Sequence, residues 1–136
     1  MSPGSTAAEA QPVPYTGTMG TFEVDVEISD REGRRFEALR ALVDTGSTYV
    51  RVPGSILRSL DIQPSEHQRF EMADGRVEEY PIGEAKIRFE NRTRFTVVAF
   101  GEDDSGALLG AVALESFGFA VDPIGQRLVP VVGLMM

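Results

Sequence analysis

The run Ala41-Leu42-Val43-Asp44-Thr45-Gly46-Ser47 constrains this chain most: an apolar, strand-like stretch ends abruptly in a carboxylate, a hydroxyl and a glycine. Three apolar residues in succession read as a short buried strand, which delivers Asp44 at the rim of a core, where loss of water disfavours the charged form. Gly46 accepts backbone angles that other residues resist and lets another chain approach closely, and the Thr45 and Ser47 hydroxyls are able to hydrogen-bond the carboxylate or the turn. The same residue types are also ordinary turn formers after a strand, so the motif taken alone does not separate a chemical site from a plain turn.

The surrounding pattern is mostly β. Phe22 to Ile28 alternates strictly, which puts Phe22, Val24, Val26 and Ile28 on one face of a half-buried strand. Ser29-Asp30-Arg31-Glu32-Gly33 turns the chain, and Arg34 to Val43 returns as the partner strand, so Asp44 is carried by a hairpin. Pro53-Gly54-Ser55 opens a short helix with Ile56, Leu57 and Leu60 at helical spacing for core packing. Arg69 to Met72 and Val77 to Phe89 read as strands around Ala73-Asp74-Gly75-Arg76, where Asp-Gly is a hairpin signal because glycine accepts the positive φ of a tight turn. Arg94 to Phe100 reads as a further strand. Residues 1–16 are rich in Ser, Pro, Ala and Gly and are expected to form a disordered extension, leaving 17–136 as a single folded domain.

Composition excludes several classes of function. With a formal net charge of -8 and no cluster of Lys and Arg, the chain lacks the surface that nucleic acid requires, since such surfaces replace counterions around phosphate. There is no cysteine, hence no disulfide framework and no thiolate nucleophile, and the lone His67 cannot build a zinc site; no metal or other cofactor is expected, and His67 reads as a solvated loop residue. No apolar run approaches the roughly 18 residues of a membrane span and the N-terminus lacks a secretion signal, so no membrane partner is expected and the cytoplasm is the expected location. Asn91-Arg92-Thr93 matches a glycosylation acceptor but in that setting marks only a turn.

A second segment changes the weight of the first. Ala107-Leu108-Leu109-Gly110-Ala111-Val112-Ala113-Leu114 is an apolar strand that breaks at glycine and passes directly into a short helix. An apolar strand ending in Asp44-Thr45-Gly46-Ser47, followed after a hairpin by Leu108-Leu109-Gly110 and a helix, resembles the retropepsin-like aspartic proteases, the single-domain branch of the pepsin clan, and its small prokaryotic members most closely. The resemblance covers roughly residues 18 to 133. It implies an all-β, acid-protease-like closed barrel with one or two short helices, assembled as a homodimer.

The resemblance also implies roles. Asp44 would be the catalytic carboxylate; Thr45 would brace the dimer beneath the paired acids; Gly46 would admit substrate backbone; the Ser47 hydroxyl could hydrogen-bond Asp44. Leu108, Leu109 and Gly110 would support the loop that carries Asp44. Met72, Ala73, Asp74, Gly75 and Arg76 match the flap that closes over bound peptide in the family, although the many charges of this segment read equally as a solvated face. Two departures stand out. Ala111 and Val112 occupy positions where many retroviral enzymes carry Arg and then Asp or Asn, and Ser47-Thr48-Tyr49 lacks the acid that pairs with that arginine.

Hydrolysis of an amide by carboxylates takes one ionised group to activate water and one protonated group to polarise the carbonyl. The internal rival, Asp104-Ser105-Gly106, lies in a polar loop with no apolar strand delivering it, so the second acid is expected from Asp44 of an identical subunit. The expected activity is therefore that of a homodimeric aspartic endopeptidase acting on peptide or protein. The alternatives are a retropepsin-like domain used for binding or dimerisation with little hydrolysis, and a monomeric β-barrel binding module. Leu128 to Val132, apolar and strand-like with Pro130 suited to an edge, would pair across subunits as chain termini do in retroviral relatives, or else pack inside its own barrel, and Gly133 to Met136 would extend the contact or fray.

Overall fold

The computed structural model of the chain describes residues 22–135; the extension expected over residues 1–16 lies outside them. Strands β1 (Phe22–Ser29) and β2 (Phe36–Val43) form an antiparallel hairpin in register from Phe22 opposite Val43 to Ser29 opposite Phe36. Gly33 turns the hairpin at φ +70 and its N–H donates to the Asp30 carbonyl, while the Asp30 carboxylate accepts from the Arg34 N–H and guanidinium. After β2 come β3 (Val50–Pro53), α1 (Gly54–Ser59), β4 (Glu66–Glu71), β5 (Val77–Phe89), β6 (Arg92–Gly101), β7 (Ala107–Leu109), α2 (Ala111–Phe117), β8 (Phe119–Asp122) and β9 (Arg127–Pro130).

Seven strands join in the order β1-β2-β7-β3-β6-β5-β4, and β1 also pairs with β5, which closes the first six into a barrel. Closure runs through Glu27–Ser29 against Lys86–Arg88. The length of β5 makes this possible: Ile82 to Phe89 pairs with β6 in the barrel wall, and Val77 to Ile82 projects as a hairpin with β4. The inward positions of the ring, among them Ile28, Val43, Val52, Ile87, Val98 and Leu109, form one core that α1 closes with Leu57 and α2 with Phe117. Each such aliphatic side chain contributes about 1.5–3 kcal/mol by leaving water.

The strand alternation read over Phe22 to Ile28, the hairpin that carries Asp44, and both short helices are present. Two strands escaped the sequence reading. β3 is four residues with a proline at its end, the proline read as opening α1, and β8 follows α2 with only Gly118 between them, where a left-handed φ of +76 ends the helix. β4 starts at Glu66, so the exposed His67 lies on a strand and not in a loop; its polar sequence is that of a sheet edge, held by β5 alone. β6 starts at Arg92, and the turn before it is Glu90-Asn91, both at positive φ. The C-terminal segment pairs within its own chain, Phe119 opposite Pro130 to Asp122 opposite Arg127, as a separate two-stranded sheet whose Leu128 packs against the core. Val131 and Val132 continue past it and are exposed. No helix among the described residues is long and apolar enough to cross a membrane.

Candidate active site

β2 and β3 are consecutive in sequence, yet β7 lies between them, parallel to β2 and antiparallel to β3. The loop from Asp44 to Tyr49 therefore spans an inserted strand, and its ends are fixed by ladder pairing on both sides. Leu42 sits opposite Leu108 and Val43 opposite Leu109, and the ladder continues one step beyond β2, where the Asp44 N–H donates to the Leu109 carbonyl at 3.1 Å. Asp44 is thus placed by the last backbone bond of a buried strand.

The loop is then tied internally and from below. The Ser47 N–H donates to the Asp44 carbonyl at 3.1 Å, and the Gly46 N–H donates to Asp44 Oδ1 at 2.9 Å. The described residues thus supply the carboxylate with a backbone donor, where the sequence pointed to the Ser47 hydroxyl. On the underside, the first turn of α2 presents free N–H groups: Ala111 donates to the Ser47 carbonyl at 2.8 Å and Val112 to the Thr48 carbonyl at 3.0 Å. Ala111 and Val112, the two positions that depart from the retroviral pattern, thus brace the loop through their backbone N–H groups. These bonds demand a close approach. A Cβ on Gly110 would stand 2.4 Å from the Tyr49 carbonyl oxygen and 2.7 Å from that of Ser47, so only glycine fits.

Above Asp44 lies an open cleft of about 1300 Å³. Its floor is the Asp44 loop with Leu108 and Arg51, its roof the β4–β5 hairpin with Phe70, Met72 and Tyr80, and its far side the terminal sheet with Val121 and Pro123. Of the residues singled out in the sequence, Asp44, Thr45, Gly46, Ser47, Met72, Ala73 and Leu108 line it; Leu109 is fully buried beneath. Asp74, Gly75 and Arg76 form the exposed hairpin tip beyond the cleft lining. The tip satisfies its own charges. The Arg76 N–H and guanidinium hold the Asp74 carboxyl below the usual carboxylate range, and the same guanidinium pairs with Glu78.

An aromatic cluster that sequence reasoning missed joins roof to floor. Phe70 meets Tyr49 edge-on at 6.0 Å between ring centroids and Tyr80 at 6.1 Å. Burial, reinforced by Glu102, raises the Tyr80 phenol above its ordinary value, and its hydroxyl lies 3.1 Å from Glu102 and 3.2 Å from Glu78. The only available signal was the two-residue period of Gln68, Phe70 and Met72. Asp104 is exposed on a turn outside the cleft, as its polar context indicated, and Glu71 is the only carboxylate besides Asp44 among the lining residues.

A closed six-stranded barrel with an inserted strand bracing an Asp-Thr-Gly loop is a retropepsin-like fold. Comparison with known proteins agrees. The aspartyl protease family model matches residues 24–112, and the chain belongs to that family. In fold it is similar to the EIAV protease, solved in complex with the inhibitor HBY-793, at 21% identity and a TM-score of 0.53, the match covering 78% of this chain and 95% of that one. It is also similar to the Simian Foamy Virus (mac) protease at 19% identity and a TM-score of 0.51, covering 71% of this chain and 94% of that one. A retropepsin-like aspartic protease from Rickettsia conorii matches at 17% identity and a TM-score of 0.47, covering 75% of this chain and 87% of that one. No curated protein sequence matches the chain.

Proposed function

We propose that the chain is an aspartic endopeptidase whose reacting site forms when two identical subunits bring their Asp44 carboxylates together across a two-fold axis. The observation that carries this reading is the state of Asp44 in one subunit: a single acid, fixed by the Leu109 carbonyl and the Gly46 N–H, at the floor of an open cleft. Within the cleft, Glu71 belongs to the β4 strand of the roof and not to a braced loop, so one chain offers half of the required pair. Thr45, next to Asp44, is exposed, which leaves it free to brace a second subunit.

In the assembled pair, one carboxylate takes a proton from water as the water oxygen attacks the peptide carbonyl, and the other, protonated, donates to the carbonyl oxygen. Collapse of the tetrahedral intermediate returns a proton to the leaving amine. Two carboxylates this close cannot both ionise readily and titrate as a pair; the aspartic-protease dyad is the standard instance of that behaviour. The hairpin over the cleft, with Met72 and Ala73 facing the site, would cover an extended peptide and exclude bulk water.

The test is cleavage of a mixed peptide library across acidic to neutral pH by the native chain, by Asp44→Asn, and in the presence of a transition-state-mimicking aspartic-protease inhibitor. Cleavage that both the substitution and the inhibitor abolish supports the reading. A folded dimer that cleaves nothing at any pH would instead make this a binding or dimerisation domain.

A further inference from the structure

The chain is acidic overall, yet the floor of its cleft carries an arginine whose charge the described residues leave unbalanced. Arg51 lies between the buried Val50 and Val52 on β3, so the two-residue period turns it away from the core. It stands opposite Leu108 of β7 and Ala99 of β6, and both of those residues line the cleft with it. Leu108 in turn pairs with Leu42, two residues before Asp44, which puts Arg51 one strand further from the reacting acid along the same floor.

The guanidinium is positioned but not neutralised. Its stem runs against Gly101, where a Cβ would come within 2.9 Å of Arg51 Cγ. Its Nη2 donates to the Gly106 carbonyl at 3.1 Å, and its Nε–H is buried without an acceptor. Among the described residues Arg51 makes no ion pair, in contrast to Arg34, Arg40, Arg76 and Arg88, each matched with a carboxylate. The buried Nε–H fixes the orientation of the group and is closed to solvent, so the donors left for a ligand in the cleft are those of the Nη nitrogens, and a carboxylate is the anion whose geometry fits them best. Arg69, a second lining arginine without an ion pair among the described residues, adds to the positive potential, which Glu71 on the roof and Asp44 on the floor oppose.

We propose that Arg51 is a specificity-determining residue that selects peptides with a Glu or Asp side chain close to the scissile bond. The inference rests on the endopeptidase reading of the cleft. In a two-fold dimer each subunit contributes one Arg51, so the preference holds on both sides of the cleaved bond, at positions equally spaced from it.

The experiment compares matched peptides carrying Glu or Gln at each position around a cleaved bond, with the native chain at about pH 5.5, where a substrate Glu with an ordinary value near 4.3 is ionised. A charge-assisted hydrogen bond predicts that kcat/KM favours Glu over Gln by about tenfold or more at one position on each side. Arg51→Met keeps the stem over Gly101 and removes the charge, and is expected to bring that ratio close to one. Cleavage by the native chain with no preference for Glu at any position overturns this inference alone, and needs no variant to fold. A preference that survives unchanged in Arg51→Met also overturns it. Failure to cleave any peptide overturns the endopeptidase reading and this inference with it.

Discussion

Gly110→Ala adds one methyl group, and the structure assigns it a cost. The backbone itself is no obstacle: Gly110 sits at φ -94 and ψ -176, where alanine is at ease. The obstacle is what the methyl group meets. Its three nearest neighbours, the Tyr49 carbonyl oxygen at 2.4 Å, the Ser47 carbonyl oxygen at 2.7 Å and the Tyr49 carbonyl carbon at 2.9 Å, are all backbone atoms, and no side-chain rotation relieves the contact. The Asp44 loop must therefore separate from α2, at the expense of the Ala111–Ser47 and Val112–Thr48 hydrogen bonds. Two such bonds at about 1 kcal/mol each, plus about 1–3 kcal/mol for overpacking, amount to about 3–5 kcal/mol, a large part of the stability of an ordinary domain. Urea unfolding of Gly110→Ala beside Gly106→Ala measures this, since a Cβ on Gly106 meets nothing within 4 Å. A midpoint for Gly110→Ala no lower than that of Gly106→Ala would refute the account of how the loop is braced.

Other consequences are open to direct measurement. The Arg34 N–H and guanidinium hold the Asp30 carboxyl below its ordinary value, so its contribution to stability is present above the unfolded value of about 3.9 and is lost as pH falls through the lower folded value. Urea midpoints of native chain and Asp30→Asn should differ at neutral pH and converge below about pH 4; a constant gap would exclude this titration as the cause. Glu90 and Asn91 both adopt positive φ, 53 and 62, in a two-residue hairpin turn that Asn-Gly suits better. The double replacement Glu90→Asn, Asn91→Gly should stabilise the chain by about 1 kcal/mol in thermal unfolding, and no gain would count against the turn geometry. Phe70→Ala removes the aromatic contact of the roof with Tyr49 on the floor and one with Tyr80 within the roof, each worth about 0.5–1.5 kcal/mol, so hydrogen exchange of the β4 amides should quicken more than global stability falls. Equal changes in both would mean that the hairpin is no separate unit.

What could be read from the sequence was local. Asp44 and Gly110 stand at abrupt ends of apolar runs, and Asp74-Gly75 is a turn signal that its neighbours do not contradict. The alternation of Phe22 to Ile28 also survives because one face of that strand meets the core. The rest depends on residues that meet only in the folded chain. β3 is too short to show a period, and it is a strand because β6 and β7 flank it. Tyr49, Phe70 and Tyr80 come from three separate segments, and no spacing connects them. The brace beneath Asp44 is made of backbone groups, which every residue carries, so the missing arginine could be noticed in the sequence while this brace could not. Arg51 was hidden for a related reason: that its Nε–H is buried with no acceptor among the described residues can be seen only in the folded chain.

The central claim is that each active site takes one Asp44 from each of two subunits, and subunit mixing tests it most directly. Native chain and Asp44→Asn are combined at fixed total concentration, allowed to exchange, and assayed for peptide cleavage across the full range of mixtures. A shared pair of acids predicts that activity falls as the square of the native fraction, because every mixed dimer has lost one carboxylate. Activity falling in simple proportion to the native fraction would show that one chain suffices, and would contradict the account.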